Sequence, residues 1–417
     1  MLLGACFGLV EFLVAVVLVL TGSHITLFGL SRSHDQLAVY GTGIALLTSA
    51  LSSSVFMSVA SYLNRAVPAF GMYGRVTTWS AIVTVVSMFI PAFAVSRGAN
   101  ITAAAFWQLF AVFLISSAQT ADLFTRLSKV GVRPTRPHKG FPLLLLKRAR
   151  YGYAKNILEQ VRQQGVRVVL ALLTNAANVT VFATTRTISN IMLQVGLTLT
   201  NPIIPELSSM VREKKTAQIS GAFTLVWIVL AVLISPGALI LAVFGGNLFH
   251  WWTHGKLVFD HWLLATLIAS VVLTFAFMPA MLLARSQNDF ARMTRVMLNS
   301  AVAVVITMVA TASSFRAVTG GLGLLAGEAV VYVMITAESK RLMSILSVVW
   351  PAKSLRLSQV SLAITLLGLG FIAYAPHLKW AFFAANFLLQ LWLAKALFLQ
   401  LSDSLRSRLL SKMPLKR

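Results

Sequence analysis

Residues 261–284 read HWLLATLIASVVLTFAFMPAMLLA, a stretch without aspartate, glutamate, lysine or arginine. About 20 consecutive apolar residues are enough for a helix to cross a lipid bilayer. The whole chain has the same character: 58% of its 417 residues are hydrophobic and 11% are charged, against about 25% charged in ordinary soluble domains. The mean hydropathy is +0.81. We therefore predict an all-α polytopic membrane protein.

Other apolar segments of similar length lie on both sides of this stretch, and together they predict about twelve transmembrane helices. The other eleven segments lie near 3–21, 36–60, 77–95, 102–125, 155–175, 179–205, 218–244, 296–313, 318–337, 357–375 and 380–401. The segment 155–175 is the least typical, because it contains Glu159, Arg162 and Arg167.

The basic residues predict the orientation of these helices. Every second connection is rich in lysine and arginine, and the richest is 126–154, whereas the intervening connections carry few basic residues. By the positive-inside rule, we predict that both termini lie in the cytoplasm. We also expect a multi-pass protein of the cell (inner) membrane. The net charge of +24 is spread over connections between apolar segments. It therefore indicates contact with membrane lipids and argues against a nucleic-acid partner.

Two stretches indicate an internal repeat. Residues 65–81 read RAVPAFGMYGRVTTWSA and residues 285–301 read RSQNDFARMTRVMLNSA, with matching residues at a constant offset of 220. Repeated halves with a site between them are common in transporters. We predict two pseudo-repeated lobes, of four and six helices, and expect two further helices to precede the first lobe in a six-plus-six arrangement. The predicted divisions are an N-terminal lobe at 1–125, a basic linker at 126–154, a C-terminal lobe at 155–340, and a helix pair with a basic tail at 341–417.

Arg186 is the only charged residue between 179 and 205. A charge at the centre of a membrane helix costs about 2.5–3.5 kcal/mol on insertion scales, so it usually faces a wet cavity or a partner. Polar residues at helical spacing extend this face, and the preceding helix presents a second polar face. The first set is Arg186, Asn190, Gln194 and Asn201; the second is Glu159, Arg162, Gln163 and Arg167. Two interpretations stay open: a cationic substrate cavity, or ion pairs of Glu159 with Arg162 or Arg167 and amide hydrogen bonds that join helices.

Three carboxylates are candidates for coupling transport to an ion gradient. Glu11, Glu159 and Glu328 fall within predicted spans, where a carboxylate is either functional or packed as a paired polar residue. Gly323 and Gly327 are spaced for close helix packing. Because Cys6 is the only cysteine and the histidines are scattered, we predict no disulfide, metal site, cofactor or catalytic site.

The two segments that carry Arg162 and Arg186 also carry a family resemblance. Residues 145–173 read LLKRARYGYAKNILEQVRQQGVRVVLALL, and residues 178–215 read NVTVFATTRTISNIMLQVGLTLTNPIIPELSSMVREKK. They resemble the start of the C-terminal lobe in oligosaccharide flippases of the polysaccharide-biosynthesis type, such as O-antigen flippases, which carry (T)xRT(I/L)xN and then PE(L/F)S. The matching residues are Thr185, Arg186, Thr187, Ile188, Asn190, Pro205, Glu206, Leu207 and Ser208.

The resemblance implies a function as well as a plan of two six-helix lobes. The substrate would be a polyprenyl-diphosphate-linked oligosaccharide, with Arg186 on its anionic head group and the neighbouring amides on its sugars. It also implies work alongside other polysaccharide-assembly proteins. Three alternatives remain: a cation-coupled multidrug-type exporter of the same superfamily, a membrane glycosyltransferase or polymerase, or a truncated remnant that transports nothing.

Overall fold

The computed structural model describes residues 12–22, 36–52, 60, 63–64, 67–70, 72–132 and 141–401. Within these ranges the regular structure is helical and contains no β-strand. The chain divides into two compact units, Met1–Leu144 (unit 1) and Leu145–Arg417 (unit 2). The all-α prediction is therefore confirmed for the described part of the chain.

Unit 1 contains three long described helices: α1 (Gln36–Leu51), α2 (Tyr73–Ser96) and α3 (Ile101–Lys129). Helix α3 packs against both α1 and α2. Asn100 caps its start, because the side chain accepts a hydrogen bond from the backbone N–H of Ala103 at 2.8 Å. Near the other end, the Asp122 carboxylate of α3 accepts hydrogen bonds from Arg75 Nε at 3.0 Å and Trp79 Nε1 at 2.8 Å. These bonds fix α2 to α3.

The described part of unit 2 contains nine long helices, counting α4, which begins just before the division. They are α4 (Phe141–Leu173), α5 (Ala176–Thr200), α6 (Ile203–Arg212), α7 (Thr216–Thr253), α8 (His261–Ser286), α9 (Phe290–Phe315), α10 (Val318–Ile345), α11 (Ala352–Tyr374) and α12 (Lys379–Phe398). Helix α7 includes one π-helical turn at Leu230–Ile234.

Helix α8 is the centre of unit 2. It contains the uncharged stretch 261–284, and 94% of the residues in its most apolar part are buried. It packs against α5, α6, α7, α10 and α11. A helix that is apolar on all sides is buried either in protein or in lipid, and here most of its surface meets other helices.

Helices α9 and α10 approach each other closely through glycine. A Cβ atom added to Gly323 would lie 2.6 Å from Met308 Cγ, and one added to Gly327 would lie 2.6 Å from Val304 Cγ2. Both distances are too short for real Cβ contacts. The predicted packing role of the two glycines is confirmed.

Helices α11 and α12 form the predicted C-terminal pair, and both pack against the rest of unit 2 through α7. Buried polar side chains join the two helices. Gln390 donates to the carbonyl of Ser361 at 3.0 Å and to Thr365 Oγ1 at 2.9 Å, and Ser361 Oγ donates to Gln390 Oε1 at 2.6 Å. Each of these side chains is fully buried.

Eight helices among the described residues are long and apolar enough to cross a membrane, so the chain is a multi-pass membrane protein by architecture. They coincide with the predicted segments 77–95, 102–125, 218–244, 261–284, 296–313, 318–337, 357–375 and 380–401. The segments 3–21 and 36–60 lie partly outside the described residues, and the twelve-span layout and the repeat stay predictions.

Three local differences from the predicted boundaries have physical reasons. The segment 179–205 is not one helix, because α5 ends at Thr200 and α6 begins at Ile203, on either side of Pro202, which lacks a backbone N–H. Helix α4 covers 155–175 almost completely but is too charged to count as an apolar span. The predicted linker 126–154 is helical at its two ends, since α3 extends to Lys129 and α4 starts at Phe141; the division between the units lies inside it.

Candidate functional site

A cavity of about 180 Å³ lies inside unit 2, among α4, α5, α8, α9 and α10. Its wall contains polar side chains from α4, α5, α8 and α10 and apolar side chains from α5, α8, α9 and α10. The charged and amide residues that line it are Glu159, Arg162, Gln163, Arg186, Asn190, Asn201, Arg285 and Glu328. Seven of these eight belong to the sets predicted from the sequence. The cavity therefore brings together residues from the two predicted polar faces, and it includes two predicted coupling residues, Glu159 and Glu328.

Arg186 enters the wall from α5 and binds α4. Its two terminal nitrogens donate hydrogen bonds to the backbone carbonyl and to the side-chain oxygen of Gln163. The guanidinium carbon lies 5.8 Å from the centre of the Phe182 ring, within the range of a cation–π interaction. Although Arg186 is only 5% exposed, none of these partners carries a negative charge. Among the residues that the structure describes, Arg186 therefore has no direct ion pair to neutralise its positive charge.

Arg162 and Glu328 form an ion pair that crosses from α4 to α10. Arg162 Nη1 lies 2.5 Å from Glu328 Oε1, and the side chains are 4% and 5% exposed. Arg162 Nε and Glu328 Oε2 are also buried, and neither has a hydrogen-bond partner among the described residues. Sequence spacing could not reveal this pair, because the two residues are 166 positions apart.

Glu159 has a different partner from the one considered in the sequence. It pairs with Lys155, one turn earlier on α4, rather than with Arg162 or Arg167. The i, i+4 spacing of these two residues allows this pair on a helix. Glu159 is 32% exposed at its side chain, so it is more open than Glu328.

Arg285, at the end of α8, also lines the cavity and was missed as a site residue. The sequence indicated Arg285 only as the first residue of the repeat at 285–301 and as one of the basic residues that predict orientation. The signal that could have identified it is its position directly after the uncharged stretch 261–284. With Arg285 included, three arginines and two glutamates line the cavity, which leaves one net positive charge.

Gln194 does not line the cavity and is exposed. Each helical residue turns by about 100°, so Gln194, eight positions after Arg186, lies about 80° away from it. The face that lines the cavity continues instead through Leu193 and Leu197 to Asn201. The predicted stripe of polar residues on α5 therefore does not follow this cavity at Gln194, because steps of four residues drift around the helix.

Arg167 also lies away from this cavity. It borders a separate open groove with Thr184, Trp252 and Lys256, and its buried Nε has no hydrogen-bond partner among the described residues. Glu11, the remaining predicted coupling residue, lies outside the described residues. Among those residues, no group of three or more histidine, cysteine, aspartate or glutamate side chains is arranged to hold a metal ion.

Comparisons with known proteins do not extend this description. No protein-family model matches the chain, and no curated protein is significantly similar to it. The chemistry of the cavity is therefore the basis for a functional assignment: buried guanidinium groups, amides and one net positive charge fit a polar anion.

Proposed function

We propose that this chain is a flippase that moves a polyprenyl-diphosphate-linked oligosaccharide from the cytoplasmic to the outer leaflet of the cell membrane. The observation that carries the proposal is the net-cationic cavity in unit 2. Ionisable side chains inside a membrane protein commonly mark a substrate or ion path. Arginine binds phosphate oxygens through strong charge-assisted hydrogen bonds, so the diphosphate is the part of the substrate that this cavity would hold.

The uncharged parts of the cavity suit the rest of such a head group. Asn190 and Asn201 offer both hydrogen-bond donors and acceptors, which sugar hydroxyls require. Leu193 and Leu197 lie between them on α5. The lipid tail needs no polar path, because it stays in the bilayer during transfer.

The size of the cavity bears on the mechanism. Its volume of about 180 Å³ is smaller than the roughly 300–1,000 Å³ of ordinary small-molecule sites. A diphosphate-linked oligosaccharide therefore requires the helices around the cavity to separate. Alternating access by movement of helix groups provides such an opening.

A cation-coupled multidrug-type exporter is the second candidate, and the two cavity glutamates favour it. A cationic drug would bind to carboxylates. Both are already paired, however: Glu328 with Arg162 and Glu159 with Lys155. With three arginines against two glutamates in the wall, an anionic substrate is the better match.

Genetic complementation tests the proposal. The chain, and a version that includes the upstream reading frame, are expressed in cells that lack their own lipid-linked oligosaccharide flippase and carry the sugar pathway of the source organism. We expect surface polysaccharide to return with at least one version. Arg186→Gln should abolish the rescue, whereas the matched control Gln194→Ala should retain it, because Gln194 lies outside the cavity.

Two results would count against the flippase. If neither version restores polysaccharide although both reach the membrane, the proposed substrate is wrong. If the same cells instead gain resistance to cationic dyes, and this resistance is lost in Glu328→Gln, the exporter is favoured.

A further inference from the structure

The ion pair between Arg162 and Glu328 is incomplete in a specific way. An arginine and a carboxylate can form two parallel hydrogen bonds, but only Arg162 Nη1 and Glu328 Oε1 are in contact here, at 2.5 Å. Arg162 Nε and Glu328 Oε2 are left buried without a hydrogen-bond partner among the described residues. Both residues line the cavity, and the pair leaves one buried donor and one buried acceptor unused beside it.

The surroundings distinguish Arg162 from Arg186, the other buried arginine of the cavity wall. Arg186 donates to Gln163, a neutral group, whereas Arg162 has a buried counter-ion. The backbone that carries Glu328 is fixed, because the carbonyl of Gly327 accepts a hydrogen bond from Ser300 Oγ at 2.8 Å. Glu328 is therefore an anion that is tethered beside Arg162 by the fold itself.

We propose that Glu328 is a built-in competitor for the anionic ligand of the cavity. In this structure its carboxylate binds Arg162. When a diphosphate enters, a phosphate oxygen replaces Glu328 Oε1 as the acceptor for Arg162 Nη1. The displaced carboxylate stays in a wall that also contains Arg186 and Arg285. This inference rests on the proposed function, because it assumes that the ligand is a diphosphate.

Competition predicts a gain of affinity when the competitor is removed. A hydrogen bond to a charged group contributes a factor of about tenfold or more to binding, so Glu328→Gln should tighten diphosphate binding by about tenfold or more. If Glu328 only supported the fold of the site, the same substitution would weaken binding. Arg162→Lys should weaken binding, because lysine cannot provide two parallel donors.

Glu159→Gln is the matched control. It removes the same charge from the same cavity wall but leaves the Arg162–Glu328 pair intact. Glu159 is 32% exposed and pairs with Lys155, so solvent screens its charge from a ligand in the cavity. The gain in diphosphate affinity for Glu159→Gln should therefore stay below about threefold. Equal gains in Glu159→Gln and Glu328→Gln would mean that net charge, and not competition for Arg162, sets the affinity.

The test is isothermal titration calorimetry on the purified full chain in detergent. One arm uses inorganic pyrophosphate and the other uses farnesyl diphosphate, so that recognition of the free anion is separated from recognition of the lipid-linked one. Tighter binding of either probe to Glu328→Gln than to Glu159→Gln is the expected result. Weaker or unchanged binding to Glu328→Gln overturns the inference.

Two further outcomes are informative. If the unmodified chain binds a probe but Glu328→Gln binds it no more tightly than Glu159→Gln does, the inference that Glu328 competes for Arg162 is wrong and the proposed function stands. If neither probe binds the unmodified chain or either glutamine variant, both are overturned. Should Glu328→Gln fail to fold, Glu328→Asp gives the same readout, because its shorter side chain draws the carboxylate away from Arg162 and should also tighten binding.

Discussion

Replacing Glu328 with leucine leaves the Arg162 guanidinium buried without its counter-ion. Removal of one partner from a buried ion pair costs about 3–5 kcal/mol, whereas replacement of both by apolar residues is often neutral. The side chains here are 4% and 5% exposed, so solvent can do little to compensate. We expect Glu328→Leu to lower the free energy of unfolding by about 3–5 kcal/mol and the double variant Arg162→Leu/Glu328→Leu by much less.

The two single variants should differ. Three arginines and two glutamates line the cavity, so its net charge is +1; Glu328→Leu raises it to +2, Arg162→Leu lowers it to 0, and the double variant keeps +1. Glu328→Leu adds repulsion among the arginines, while Arg162→Leu leaves Glu328 in a cavity that still contains Arg186 and Arg285. Glu328→Leu should therefore be the less stable of the two.

Unfolding of the purified protein in mixed micelles, followed by tryptophan fluorescence over a titration with sodium dodecyl sulfate, measures these differences. Glu159→Gln is the control, and because that residue is more exposed it should cost no more than about 1 kcal/mol. The reasoning fails if Glu328→Leu costs less than about 1 kcal/mol. It also fails if the double variant loses the sum of the two single effects, because a coupled pair must deviate from additivity.

Three further predictions concern packing and access. Gly327→Ala should destabilise the protein by about 1–3 kcal/mol through overpacking of α9 against α10. The control Gly370→Ala should be neutral or slightly stabilising, because its added Cβ meets nothing within 4 Å. Both are measured by the same unfolding titration. Gln390→Ala should cost about 1–3 kcal/mol, because it leaves the buried hydroxyl of Ser361 on α11 without its acceptor. The matched change Gln359→Ala at an exposed position should cost less than about 0.5 kcal/mol. A cysteine at Asn190, in a background without the native cysteine, should react with a negatively charged thiol reagent and be protected by pyrophosphate; no reaction would show that the cavity is closed to anions.

Much of unit 2 follows from patterns that lie within single helices. The stretch 261–284 predicted a membrane-spanning helix because it is long, mostly apolar and without charged residues, and α8 is the buried centre of the unit. Gly323 and Gly327 predicted close packing because they have no side chain to separate two helices. The polar faces of α4 and α5 were found because residues three or four positions apart share a face.

The remaining features depend on contacts between distant parts of the chain. Glu328 was considered as a separate coupling residue, since nothing in the sequence places α10 beside α4. Arg285 resembled an ordinary basic residue at the end of a span. Gln194 was included because four-residue steps follow a helix face only over short distances, and two such steps already turn by about 80°.

Under the proposed function, helix α4 would connect the cavity to the movement that transport requires. Polar contacts attach it to three neighbours: Gln163 to Arg186 on α5, Arg162 to Glu328 on α10, and the carbonyl of Tyr151 to Thr294 Oγ1 on α9 at 2.9 Å. Two of these three contacts involve cavity arginines. An anion that binds those arginines competes with the contacts that hold α4 in place. The cavity is too small for a complete oligosaccharide head group, so its helices must separate to admit one. Competition for the arginines would loosen α4 as the ligand binds. Recognition of the negative charge would thereby be coupled to opening of the cavity.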